Sequence, residues 1–333
     1  MNRITQHLWG NIQNQDVYLF KIENTSGAYV ELTNYGATIV SIYVPDRNNE
    51  LGNVVLGFEN LESYLADDCY IGSTIGRFAN RIGGARLVID GMTYLLEDND
   101  HGNSNHGGRN GFNTKVFDFS IDEGRLSFET LSRDGAGGYP GNLEFKVGYQ
   151  WTDNNELLID YSAICDQKTV ANFTNHAYFN LAAGTENMLD HELTVFSDLV
   201  VASGPNYIPT GLIVPADDLA FKQHKIKEKL NVCYFLSPQS PPVLQPAAVL
   251  SELNSGRMME VFTTYPGILV YTADFLHSKN PGHNGKLYGP FDGLCLECQY
   301  LPDSPNHAHF PSTVLRPGEV YAHRIVFKFS TKS

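Results

Sequence analysis

The chain has 333 residues, 42% hydrophobic and 18% charged, a composition able to bury a sizeable core. Its 23 basic and 37 acidic side chains give a net charge of −14, which repels phosphate backbones and anionic bilayers and argues against nucleic acid or a membrane as partner. No stretch approaches the roughly 18 apolar residues of a membrane helix, the first twenty residues lack the apolar segment of a secretion signal, and five scattered cysteines fit reduced thiols, so a cytoplasmic protein is expected.

In chain order, "VYLFKIE" (17–23) and "ATIVSIYVP" (37–45) are rich in β-branched and aromatic residues and read as strands. "ENLESYLADD" (59–68) places Leu61, Tyr64 and Leu65 at helical spacing and predicts a short surface helix. "IGRFANRIGGARL" (75–87) sets Asn80 and Arg81 beside a glycine-flanked turn, where arginine either lies on the surface or offers its rigid fork of donors to an oxygen-rich ligand. "GNSNHGGRNGF" (102–112) surrounds His106 with glycines that leave room for close approach, although loop histidines also occur without function. "DEGR" (122–125) and "TDNNE" (152–156) lie between strand-like runs as hairpin connections do. "GAGGYPG" (135–141) lacks the spacing and the following helix of a phosphate-cradling loop.

The run "NFTNHAYFN" (172–180) predicts a strand with Asn172, Thr174, His176, Tyr178 and Asn180 on one face as the floor of a polar site. Phe173 and Phe179 would anchor its reverse face. "KQHKIKEKL" (222–230), with Ile226 and Leu230 four apart amid charge, predicts a second short helix, and the proline-rich 237–249 predicts a loop. "ILVYTADF" (268–275) and "HRIVFKFS" (323–330) are further strands. In "GLCLECQYL" (293–301), Glu297 and Gln299 share one face of a strand and Cys295 and Cys298 point to opposite faces, which disfavours a zinc site there. Glu297 either lies on a wet strand face or is a buried carboxylate, whose pKa would rise and suit base catalysis. His307 and His309 share one side of an extended backbone without an evident third ligand, so a loop is expected. Many short strands without long alternating helices predict an all-β fold, a large antiparallel β-sandwich with a few short helices, spanning residues 1–333 as one domain.

Taken together, "IGRFANRI", "NSNHGGRNGF", "SRDGAGGYPGNL", "NFTNHAYFNLA", "EVFTTYPGILVYTADF", "LCLECQYLPDS" and "RPGEVYAHRIVFKFS" resemble, in order and over nearly the whole chain, the signature segments of the aldose 1-epimerases, or galactose mutarotases. The resemblance implies a single large β-sandwich. It also implies a cofactor-free and metal-free isomerase that opens a pyranose hemiacetal and recloses it as the other anomer. His176 matches the family's general acid and Glu297 its general base. Asn80, Arg81 and His106 match substrate-binding positions, and Tyr178 follows His176 on the same face. The partner implied is a small hexose or related hemiacetal, for a monomer or homodimer. The sequence departs from the family where a Gly–aromatic–Asp–His segment aligns with Asn231 and Val232, and where Leu269 stands for a glutamine. Both changes make the site less polar and leave open a less hydroxylated, non-sugar carbonyl substrate. A glycoside hydrolase would need two flanking carboxylates, of which only Glu297 is well placed; a non-catalytic sugar-binding module would have no use for the His176–Glu297 pair.

Overall fold

In the computed structural model, which describes residues 3–237 and 241–332, side-chain alternation sorts the strands into three main antiparallel sheets. Nine strands form the first, in the spatial order Asp118–Asp122, Arg125–Ser132, Leu143–Trp151, Glu156–Cys165, Tyr321–Thr331, Arg257–Thr263, Gln245–Ser251, Glu192–Val195 and Lys222–Lys225. Six form the second, in the order Tyr178–Phe179, Leu294–Gln299, Gly267–Tyr271, Asn231–Phe235, Leu199–Ser203 and Pro209–Pro215. The third is a meander of Arg3–Ile12, Gln15–Glu23, Tyr29–Thr33, Thr38–Pro45 and Leu51–Asn53. Along Leu143–Trp151 the residues Leu143, Phe145, Val147, Tyr149 and Trp151 are buried while Glu144, Lys146 and Gln150 face water. That period-two pattern is what a sheet covered on one face requires. One core cluster draws side chains from all three sheets, among them Phe20, Val147, Phe179, Leu296 and Phe327. The antiparallel β-sandwich expected from the sequence is therefore the fold.

Local chemistry sets the connections. Asp122 pairs with Arg125 across a two-residue loop in which Glu123 and Gly124 both have positive φ, 46° and 79°, the conformation whose twist matches a hairpin. The short helix Leu61–Leu65 is capped by Asn60, which accepts from the Ser63 N–H at 2.9 Å, and it buries Leu61 and Tyr64. Among the described residues no helix is long and apolar enough to cross a membrane.

Three expectations need correction. The predicted helix over 222–230 does not form: Lys222–Lys225 is an exposed edge strand paired with Glu192–Val195, and Ile226 and Leu230 turn into the core. Two apolar residues in nine make no stripe for a helix to bury, whereas the strand gains a ladder, and its lysines suit an unprotected edge. The loop expected over 237–249 ends early, because Gln245–Ser251 is a strand with Pro246 at a register irregularity where its missing N–H is tolerated; residues 238–240 lie outside the described residues. The stretch 172–180 is not one strand. Thr174–Asn175 pairs with Thr74–Ile75, and Tyr178–Phe179 with Leu294 and Cys295. Between them His176 donates its backbone N–H to Ser73 O at 2.9 Å and accepts from Gly72 N at 3.0 Å.

Candidate active site

Antiparallel register assembles the site's floor. Tyr178 lies opposite Cys295, Cys295 opposite Tyr271, and Tyr271 opposite Asn231, a row across four strands of the six-stranded sheet. Two residues along, on the same face, Glu297 lies opposite Leu269. His176 comes two residues before Tyr178, so it meets that second row at Glu297, and its Nε2 stands 3.8 Å from Glu297 Oε1. The backbone under the histidine is pinned by Asn175, whose amide donates to Gly72 O at 2.9 Å and accepts from Ala177 N at 3.0 Å. Beneath, Phe173 packs against Phe112, Phe145 and Tyr321.

The wall opposite comes from two loops. Arg81 pairs with Asn105, and the residues outside that bridge, Asn80 and His106, both adopt positive φ. The Asn80 N–H donates to His106 Nδ1 at 3.3 Å, which puts the imidazole proton on Nε2 as a free donor. Gly107 packs so closely on Gly76 that a side chain would meet Gly76 O at 2.1 Å, which accounts for the glycine after the histidine. Arg81 is held by Asp100, Nε to Oδ2 at 2.6 Å, and lies over the Tyr207 ring.

These parts enclose a cavity of about 400 Å³ lined by eight of the residues expected at the site: His176, Glu297, Asn80, Arg81, His106, Tyr178, Asn231 and Leu269. The expected floor is only partly right, however. Asn172 instead bonds the backbone of Ala79 and Tyr300, and Asn180 that of Glu186 and Asp292, while Thr174 is absent from the lining. The sequence also left unseen Tyr70, Asp100, Tyr207, Tyr271 and Phe275, which line the cavity from loops and neighbouring strands. Cys295 was legible in principle, as the residue two before Glu297; its Sγ lies 3.6 Å from His176 Nδ1. Val232 does not line the cavity and packs against the core.

Burial dominates the electrostatics. Glu297 is 1% exposed, and its Oε2 has no hydrogen-bond partner among the described residues. Desolvation lifts its pKa to about 8, against a weak opposing pull from Arg81. The same burial depresses His176 to about 4 and His106 well below its usual value. Between those two limits the pair therefore holds one proton, on Glu297, and both imidazoles are neutral. At 3.8 Å the pair is too far apart for a mutual hydrogen bond, so each group can address a different atom of a bound molecule. An unpartnered buried carboxyl oxygen costs roughly 1–3 kcal/mol, which a ligand hydroxyl would recover.

Among the described residues two clusters have donor atoms close enough to hold a metal ion: His106, His176 and Glu297 inside the cavity, and Asp68, Cys69 and His277 at its rim. A larger cavity of about 590 Å³ lies elsewhere, and two of its charged groups, Arg257 and Glu252, are already engaged. There Arg257 donates to the carbonyls of Val44, Leu181 and Glu50, and Glu252 accepts from the N–H groups of Asn254 and Ser255. The smaller cavity holds the close carboxyl–imidazole pair.

The family model described as Aldose 1-epimerase matches residues 18–328. The galactose mutarotase of Mus musculus is 40% identical over 315 residues, 90% of this chain and 91% of that protein. The aldose 1-epimerase of Escherichia coli K12 is 30% identical over 333 residues, 95% of this chain and 96% of that protein. Among solved structures, an aldose epimerase homologue from C. elegans superposes with a TM-score of 0.88 at 30% identity, covering 95% of this chain and 99% of that one. The galactose 1-epimerase of Lactobacillus acidophilus does so with a TM-score of 0.85 at 25% identity, covering 100% of both.

Proposed function

The chain belongs to the aldose 1-epimerase family, and on that premise we propose that it interconverts the α and β anomers of a hexose with Glu297 and His176 as its acid–base pair. The observation that carries this reading is the pair itself: a carboxyl group and an imidazole 3.8 Å apart, both buried at the floor of a polar cavity.

On binding, the sugar's O1–H donates to Glu297, and the proton Glu297 held passes to His176. Glu297 then takes the O1 proton as His176 gives its proton to the ring oxygen. The C1–O5 bond breaks, its electron pair staying on O5, and C1=O1 forms. Rotation about C1–C2 turns the aldehyde over. His176 removes the O5 proton as O5 attacks C1, and Glu297 returns a proton to O1. In the open-chain complex Glu297 is protonated and His176 neutral, the distribution that burial already favours. Each group contributes on the order of 10²–10⁴-fold.

The His106 Nε2–H, the Arg81 guanidinium and the amides of Asn80 and Asn231 grip hydroxyls around the ring. Tyr178 donates its hydroxyl to Cys69 O at 3.0 Å, so it offers the sugar its ring face. Leu269, opposite Glu297, keeps that carboxyl dry. The less polar, non-sugar substrate suggested by Asn231 and Leu269 is not favoured, because the relatives are named for sugars. We further propose a cytoplasmic, single-domain enzyme acting as a monomer or homodimer; the five free cysteines support a reducing compartment. Polarimetry of freshly dissolved α-D-galactose and α-D-glucose tests the function: the protein should speed the approach to equilibrium, and no acceleration over buffer on either sugar would refute it.

A further inference from the structure

At the cavity rim, Asp68, Cys69 and His277 bring three different metal-binding groups together, one donor atom of each within 4.8 Å of the other two. Cys69 Sγ lies 3.8 Å from His277 Nδ1 and 3.9 Å from Asp68 Oδ1, and His277 Nε2 lies 3.4 Å from Asp68 Oδ1. Donors on a tetrahedral zinc ion stand about 3.4–3.6 Å apart, given its bond lengths; Asp68 Oδ1 and His277 Nε2 already have that spacing, and Cys69 Sγ, 3.9 Å from Oδ1, completes the set by turning away from the His277 carbonyl it now meets at 3.1 Å. The imidazole is also oriented as a ligand's is. His277 Nδ1 lies 3.0 Å from the Phe275 carbonyl; with its proton donated there, Nε2 presents a lone pair toward the Asp68 carboxylate. The outer carboxyl oxygen of Asp68 is taken by Lys279 at 2.7 Å, leaving Oδ1 for an ion, and Asp67 anchors the loop by accepting the N–H groups of Cys69 and Ile71.

We propose that Asp68, Cys69 and His277 bind one thiophilic divalent cation of the zinc class, and that its occupancy slows sugar turnover. A thiolate, an imidazole and a carboxylate suit such an ion better than magnesium or calcium, which prefer oxygen. Three protein ligands leave a fourth position for water or another small ligand. On binding, the Cys69 thiol proton passes to the buffer and a sulfur–metal bond forms. All three residues line the cavity, and the Cys69 carbonyl holds the Tyr178 hydroxyl, so an ion here obstructs the sugar's entrance and bears on the residue beside His176. The effect on turnover rests on the sugar-epimerase reading; the binding does not.

The test is a Co²⁺ titration of the whole protein under reducing, chelator-free conditions, followed by Zn²⁺ competition. A sulfur-to-cobalt charge-transfer band should grow to one equivalent and bleach with Zn²⁺. Cys69→Ser should abolish the band, and His277→Ala should weaken binding by about tenfold or more. Lys279→Met, which removes a competing cation, should tighten it. The absence of a band in the folded wild type, or a band that persists in Cys69→Ser, overturns the site. Mutarotation measured with and without Zn²⁺ should slow in the wild type and not in Cys69→Ser. A band without that slowing overturns the effect on turnover and leaves the site standing; a band in a protein that fails to epimerise any sugar overturns the epimerase reading alone.

Discussion

At the scale of single residues, the buried pair makes pH the most direct probe. Because Glu297 is raised to about 8 and His176 lowered to about 4, the pair carries its single proton between those limits. Sugar turnover should therefore follow a bell, lost toward pH 4 as the pair gains a second proton and toward pH 8 and above as it loses its only one. The two apparent constants belong to the pair jointly. Glu297→Gln should lower kcat by about 100-fold or more with little change in the folded spectrum; a variant retaining most of the activity would dismiss the carboxyl group from the chemistry. Stability follows with a definite sign. A carboxyl group raised above its ordinary 4.5 favours the protonated form in the folded state, so the fold loses stability as pH climbs from 4.5 to about 8. Thermal melts should show Glu297→Gln gaining more over the wild type at pH 8 than at pH 5, and an equal gain at both would contradict the burial argument. Leu269→Gln combined with Asn231→Asp should lower KM for galactose, since both positions line the cavity and would add polar contacts to its hydroxyls; an unchanged KM would remove these positions from substrate choice.

At the scale of elements, the support beneath the histidine is a pair of two-residue bridges tied by side chains, and its rigidity comes from Phe173 below. Truncating Phe173 to alanine should cost about 3–5 kcal/mol in urea unfolding and lower kcat as His176 loses its footing. A cost below about 1 kcal/mol would mean the aromatic cluster relaxes around the hole. The polar alternation of 172–180 announced a functional face, and His176 and Tyr178 do face the cavity. Asn172 and Asn180 were misassigned because a side-chain amide imitates the backbone: it can satisfy stranded carbonyls where strands are too short to pair fully, and nothing in local sequence distinguishes that use from ligand binding. The error at 222–230 has a similar cause, since helical spacing in a short charged segment cannot outweigh a neighbouring strand that offers a ladder.

At the scale of the whole molecule, the net charge of −14 has little to act on in a neutral sugar. The kcat/KM should change less than about twofold between low salt and the screening of physiological ionic strength; a strong salt dependence would point to a charged substrate. From its own residues the sequence determined that the chain folds as an antiparallel sandwich, because period-two alternation and turn-forming residues are local properties. The ordered segments determined the family, and through it the roles proposed for Glu297, His176, Asn80, Arg81 and His106, because chemistry restricts which side chains can serve at such positions. Only the tertiary structure decided that Glu297 is buried and unpartnered rather than on a wet face, that Asp100 holds Arg81, and that Asn231 and Leu269 face the same cavity as His176. Those facts depend on register between strands far apart in the chain, and burial, which sets the pKa values and so the chemistry, is a property of what packs around a residue rather than of its neighbours in sequence.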